Sequence, residues 1–502
     1  MEDNFNSDKY FEEFKRLRNY LRKYSANSII DKCVLHINQK SNTKLDSLQL
    51  LPWQFICVIK WVLLDKECKT FTSKEMDSKA FEKLRLLLAN IERQIRGPNE
   101  FDNHYLFFRA LACQQLGFQK ELSNQFIARQ SILFSQLTHD HPINSDFKAL
   151  TGLSITEYLD LSFFTYVGMK DSNLVHWSWF RELSQQLNID FNLIANYVKL
   201  IALDFKSYRE WLINKEGYSY KNPMEMYENS SLTSYPFFIS KFGLVCIHPQ
   251  LFFRSIENFI YDVLRVKNSQ RFMDKFGKIF ESYVRDGLDR SKVEYLTENH
   301  LREKFGHNES HVDFVIKADE ESLIFVEAKA KDMQKLGYIA HEQSIITDKI
   351  RDSALKAVDQ AHHVLRNYVE HDNPPLRSYL IVITYKEMFL GSGKTVLDYL
   401  AHTAMSKIYE THPTHQISPE NIYFMNISDF DFLCEMVKNK RLTFLEALEK
   451  AKAADAHQDT KVFTFSMHLQ NWWTDDRPQH LSLEFEKIYQ RLYEGTAIKP
   501  KN

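Results

Sequence analysis

Apolar positions recur at three-to-four spacing through much of the first half of the chain, in Tyr10 to Tyr24, Trp53 to Leu64, Phe81 to Ile95 and Val175 to Leu187. That period places the apolar side chains on one face of a helix and predicts successive amphipathic helices from residue 8 to about 225. Polar breaks at Ser41-Asn42-Thr43, Gly97-Pro98-Asn99 and Asp140-His141-Pro142 supply the stops such helices need. No fixed repeat length links them, so a regular solenoid is unsupported.

The pattern changes near residue 234. Phe237 to Ser240 and Leu244 to His248 are short apolar runs separated by Lys241-Phe242-Gly243, a spacing that predicts a hairpin. Pro249 then opens an aromatic-rich helix, Leu251 to Leu264. From about residue 266 the predicted order is helix (Ser269 to Leu288), strand (Lys292 to Glu298), strand (Val312 to Lys317), strand (Leu323 to Ala330), helix (Ser353 to Val369), strand (Ser378 to Tyr385), helix (Thr395 to Tyr409) and strand (Asn421 to Asn426). This alternation reads as an α/β unit on a mixed central sheet. The expected organisation is multidomain: a mainly α-helical region over 1–230 for recognition, regulation or oligomerisation, a hairpin-and-helix connector over 231–267, an α/β domain over 268–430, and a C-terminal helical extension over 431–502.

Composition limits the functional classes. With 13 Gly and 12 Pro in 502 residues, chain-breakers are scarce, which favours helix, and 44% apolar content excludes a disordered chain. Lys and Arg number 64 against 66 Asp and Glu, so no global basic excess announces a polyanionic partner. Residues 266–410 are also near neutral, with 21 basic against 23 acidic residues, so any nucleic-acid surface must be local. The six cysteines show no CxxC or paired spacing, which disfavours both a zinc site and a disulfide framework. The opening MEDNFNSDKYFEEFKR is acidic where a signal peptide is basic and then apolar, and the most apolar stretch, Leu51 to Leu64, is interrupted by Gln54 and Lys60. The expectation is a cytoplasmic protein with no membrane partner.

The chemistry concentrates in Val312-Asp313-Phe314-Val315-Ile316 followed by Ile324-Phe325-Val326-Glu327-Ala328-Lys329. Alternation along a strand puts Glu327 and Lys329 on one face, and a hairpin symmetric about Glu320 sets Asp313 opposite Glu327. Opposed residues lie about 5 Å apart at Cβ, and two carboxylates there among Val, Ile and Phe cost stability. A divalent cation reverses that cost, because Mg²⁺ prefers oxygen ligands. Lys329, one pleat further on, then sits beside the water and phosphate such an ion would bring.

These residues resemble the PD-(D/E)xK nuclease superfamily, the restriction-endonuclease-like fold, over roughly residues 268 to 428. Val312 stands where the family name has proline. The resemblance implies a Mg²⁺-dependent nuclease, with Mn²⁺ as substitute, acting on DNA ahead of RNA. It implies Asp313, Glu327 and the Ala328 carbonyl as metal ligands, Glu281 from the preceding helix as a second-metal or water-orienting carboxylate, and Gln360 from the following helix facing the site. Lys329 reads as an orienter and electrostatic stabiliser rather than a neutral base. A local basic groove is expected from Lys275, Lys278, Lys329, Lys331, Lys335, Lys349 and Arg351. Chains that join a helical region to this fold resemble effectors of prokaryotic antiviral defence, with a homo-oligomer or a partner protein engaged through the helical region. The alternative is a non-catalytic nucleic-acid-binding or scaffold subunit that keeps the fold.

Other motifs carry less. Gly391-Ser392-Gly393-Lys394-Thr395 lacks the first glycine of a P-loop, since position 388 is Met, and reads as a turn before a helix. His402, His412 and His415 are close in sequence without ligand spacing. Glu298 and Asp332 are weak ligand candidates, and Trp472-Trp473 reads as an anchor for a terminal segment.

Overall fold

The computed structural model describes residues 7–39, 50–70, 74–95, 97–119, 125–135, 137–138, 140–169, 172–217, 223–267, 269–307, 310–371, 375–472 and 477–493. The break at Ser41-Asn42-Thr43 and the anchor residue Trp473 lie outside them. The chain divides into two compact units. The first comprises Met1–Glu100, Ala110–Lys267 and Leu483–Asn502; the second comprises Phe101–Arg109 and Asn268–Ser482.

The first unit is mainly helical, as the periodicity predicts. Helices Ser7–Leu21, Ala26–Ile37, Pro52–Leu64 and Ser78–Glu92 share a core that includes Leu17, Ile29, Phe55, Ile59, Trp61 and Leu84. Pro52–Leu64 departs from the amphipathic expectation, because all of its residues are buried. The buried Lys60 ammonium is matched by Glu216 and Glu225, each 2.5 Å away, so a charge inside the helix bundle is paired rather than solvated. Helix starts follow local chemistry: Asp77 caps Ser78–Glu92 by accepting the Ala80 amide at 2.7 Å, and Ser154 with Glu157 forms a capping box on Ile155–Gly168.

This unit also holds a small sheet that the helical reading misses. Strands β1 (Leu174–His176), β2 (Ala202–Leu203), β3 (Phe237–Ile239) and β4 (Gly243–Cys246) assemble in the order β1-β4-β3-β2. The β3–β4 hairpin forms where expected. Its flanks are taken by β1, antiparallel to β4, and β2, parallel to β3. Val175 therefore lies in a strand, and the helix predicted to begin there starts at Trp177. Strands of two or three residues are too short to show a period of two.

The second unit is built on a five-stranded sheet, β5 (Tyr295–Thr297), β6 (Phe314–Lys317), β7 (Ser322–Lys329), β8 (Arg377–Thr384) and β9 (Ile422–Asn426), in sequential order. The β5–β6 and β6–β7 pairs are antiparallel, while β7–β8 and β8–β9 are parallel. Interior parallel strands are covered on both faces, and accordingly β7 and β8 read as near-continuous apolar runs. Helix α1 (Ser269–Ser291) covers one face, with Phe276 and Phe280 set edge-on to Tyr385. Helix α2 (Lys356–His371) covers the other, where Tyr368 meets Phe325.

Two predicted helices begin differently from expectation. The segment ahead of α2 is a helix over Gln343–Ile350 followed by a π-turn, Arg351–Leu355, and α3 (His402–Thr411) follows a π-turn at Val396–Leu400. One extra residue in a turn leaves apolar periodicity almost unchanged, so the pattern does not register it. The C-terminal part continues as helices Ile427–Lys438, Phe444–Asp455, Phe465–Trp472 and Gln479–Tyr493.

Candidate active site

The site begins with the register of the β6–β7 hairpin. Phe314 pairs with Val326, and Lys317 with Leu323, so the hairpin is symmetric about Glu320 and sets Asp313 across from Glu327. The turn fixes this register locally: the Ala318 amide donates to the Ser322 carbonyl at 3.0 Å, and Asp319 Oδ1 accepts the Glu321 amide at 2.9 Å. Because side chains alternate, Phe325, Glu327 and Lys329 share the face that α2 covers.

Asp313 and Glu327 are interlocked through the backbone. The Asp313 amide donates to Glu327 Oε2 at 3.1 Å, and the Ala328 amide donates to Asp313 Oδ2 at 2.7 Å. Lys329 Nζ donates to Glu327 Oε1 and, at 2.8 Å, to Gln360 Oε1 on α2. Gln360 in turn donates from Nε2 to the His311 carbonyl at 3.0 Å, which fixes the amide's orientation. Asp313, Glu327, Lys329 and Gln360 thus form one hydrogen-bonded network. The Lys329 carbonyl faces β8, where it accepts the Tyr385 amide. Carbonyl directions alternate along a strand, so that of Ala328 faces the β6 side, where Asp313 lies.

The electrostatics are unbalanced. Glu327 is only 4% exposed. Burial, reinforced by the Glu327 charge, pushes the Asp313 carboxyl well above the usual aspartate range, against the pull of the Ala328 amide and Lys329. Burial also raises Glu327, while Lys329 holds it down. Glu281 stands at the margin: its charge adds to the rise of Asp313, while its own carboxylate pairs with Arg285 one turn along α1 at 3.1 Å. One ammonium therefore faces two carboxylates, Glu327 buried and Asp313 half-buried, with the Arg285-paired Glu281 nearby. Among the described residues, Asp313 Oδ1 accepts no hydrogen bond. Oxygen donors with a shortage of positive charge are what a hard divalent cation requires, so the residues fit Mg²⁺.

The weaker ligand candidates are engaged elsewhere. Glu298 pairs with Arg302 at 2.7 Å, although its amide donates to the Asp313 carbonyl, and Asp332 pairs with Lys386 at 3.1 Å. Of the basic residues, Lys329 is inside the network, Lys331 and Lys349 face Asp352 and Asp348, and Lys278 is exposed one turn before Glu281. The Gly391–Thr395 segment is a turn in which Ser392 caps a short helix and Lys394 pairs with Asp398 at 3.0 Å.

Two features had no sequence signal. His311 supplies the carbonyl that holds Gln360, a backbone role that no residue type advertises. His412 meets neither His402 nor His415; it lies 3.0 Å from Asp359 of α2, with His363 beside it. Among the described residues no helix is long and apolar enough to cross a membrane, and the six cysteines are buried and unpaired by disulfides. No family model, curated protein or solved structure matches the chain.

Proposed function

We propose that the chain is a metal-dependent nuclease of restriction-endonuclease-like fold that hydrolyses phosphodiester bonds, with DNA the preferred substrate. The observation that carries this reading is the Asp313–Glu327–Lys329–Gln360 network at the ends of β6 and β7. Two carboxylates side by side, Glu327 buried and Asp313 half-buried, are costly in a purely structural role. Asp313, Glu327 and the Ala328 carbonyl would hold Mg²⁺ or Mn²⁺, whose positive charge would lower the pKa of water and offset charge on the phosphate.

The chain's own residues have distinct tasks. Asp313 and Glu327 are held by the backbone amides they accept, so the ligand oxygens are preorganised and do not need to be recruited from a mobile loop. Lys329 is held from two sides, by Glu327 and Gln360, and is assigned the stabilisation of charge that develops on a phosphate oxygen. Gln360 acts through Lys329 and is a positioning residue. Glu281, whose carboxylate pairs with Arg285, is assigned the lesser role of orienting water or joining a second ion. The helical first unit is assigned recognition, regulation or oligomerisation, in keeping with a defence-type effector.

The test is incubation of the purified chain with supercoiled, linear and single-stranded DNA and with RNA, in Mg²⁺, Mn²⁺ or chelator. Cleavage of DNA with either ion and none with chelator is the expected result. Binding without cleavage under every ion would favour the scaffold alternative, and cleavage undiminished by chelator would contradict the metal assignment.

A further inference from the structure

We propose that Asp359, His363 and His412 form a second, transition-metal site suited to Zn²⁺, distinct in ligands and chemistry from the Asp313–Glu327 pair. Among the described residues, their donor atoms lie within 4.8 Å of one another. Asp359 and His363 are four residues apart on α2 and so share a face. His412 arrives from the C-terminal cap of α3, 53 residues beyond Asp359.

The spacing suits a metal. Ligands about 2.0 to 2.1 Å from a tetrahedral ion stand about 3.3 Å from one another. Two contacts fall on either side of that value, each to a different oxygen of the carboxylate: His412 Nε2 is 3.0 Å from Asp359 Oδ1, and His363 Nε2 is 3.8 Å from Asp359 Oδ2, while one donor atom from each residue lies within 4.8 Å of the others. An ordinary histidine–aspartate pair accounts for one of these contacts. Here two imidazoles address the two oxygens of a single carboxylate, their ring centroids 4.6 Å apart and planes at 90°. Imidazole nitrogen selects zinc-like ions over Mg²⁺, which separates this cluster from the all-oxygen site around Asp313.

The surroundings are consistent with a bound ion. The His412 side chain is 3% exposed and Asp359 is 41% exposed, so the cluster is anchored in the interior and opens toward solvent, where water completes the shell. His362 is not a ligand: its Nδ1 lies 2.8 Å from the Val358 carbonyl and its Nε2 accepts the Ile417 amide at 3.2 Å. Its ring instead stacks on His412 at 5.4 Å and walls the site. An ion here ties α2 to the end of α3. The neighbouring Gln360 on α2 holds Lys329, so the same ion steadies the helix on which the nuclease network leans.

The experiment uses the full chain stripped with chelator and titrated with Co²⁺, the spectroscopic stand-in for Zn²⁺, in excess Mg²⁺. Thermal melting is followed in parallel with Zn²⁺. The wild-type chain and Asp313→Asn are expected to take up one Co²⁺ with the strong visible absorption of a low-coordinate nitrogen-bearing site, and to melt higher with Zn²⁺. His363→Ala, at a partly exposed position, is expected to lose both responses while keeping its circular dichroism spectrum. Asp359→Ala serves the same purpose if His363→Ala does not fold. Absence of the absorption band in the wild-type chain, or an unchanged band and melting shift in the folded His363→Ala or Asp359→Ala variant, would overturn the proposal.

Discussion

Asp313 links stability to function. Burial and the Glu327 charge hold its proton to higher pH in the folded chain than in the unfolded one. Between the ordinary aspartate range, about pH 4, and the raised value, the folded state binds more protons than the unfolded state. This group's contribution to stability is therefore fully present in acid and is lost as pH rises through that window. Asp313→Asn keeps an oxygen for the Ala328 amide and removes the titration. It is predicted to raise stability at neutral pH by about 1 kcal/mol, with the gain shrinking toward pH 4, as melting curves across pH will register. Mg²⁺ should stabilise the wild-type chain and not this variant, a readout independent of turnover. Gln360→Ala, which frees Lys329 on one side, is predicted to lower kcat about 10- to 100-fold with little change in KM, measured by steady-state cleavage. At this scale Asp313, Glu327 and Lys329 are legible in the sequence because strand alternation and hairpin symmetry are local rules. The Asp359–His363–His412 cluster is not. Its members are separated by a strand and a helix, and the nearby histidines at 402 and 415 draw attention along the chain rather than across it.

The β6–β7 hairpin is the element on which the site depends, and its symmetry about Glu320 follows from counting positions between two apolar runs. The parallel partners β8 and β9 are visible as buried apolar runs between helices. β1 and β2 were not legible, since each gains its identity only by pairing with the distant β3–β4 hairpin. Gly243 shows how tight that pairing is: a Cβ there would lie 2.0 Å from the Val175 carbonyl oxygen, a backbone atom that cannot swing away. Gly243→Ala is predicted to destabilise the first unit by about 1 to 3 kcal/mol, measured by denaturant unfolding, because β1 must shift or detach. The π-turns before α2 and α3 were also invisible to periodicity, yet the first of them lies directly ahead of the helix that carries Asp359, Gln360 and His363.

At the scale of the molecule, sparse glycine and proline correctly describe a mostly helical chain but conceal how it is divided. Residues Phe101–Arg109, from the N-terminal half, belong to the second unit. There the buried Arg109 donates to the carbonyls of Phe389, Gly337 and Met388 at 3.0, 2.9 and 3.0 Å, tying the segment after β7 to the segment after β8. No sequence pattern marks that role, because the acceptors are backbone atoms more than two hundred residues away. Arg109→Ala is predicted to destabilise the second unit by about 2 to 4 kcal/mol in thermal unfolding, since three carbonyls, two of them buried, lose a charged donor. The central claim concerns what this unit does once folded. Its most direct test compares Mg²⁺-dependent DNA cleavage by the wild-type chain with that of Asp313→Ala, Glu327→Ala and Lys329→Ala, each verified as folded. The account predicts that all three substitutions abolish cleavage, and retained cleavage in any two of them would contradict it.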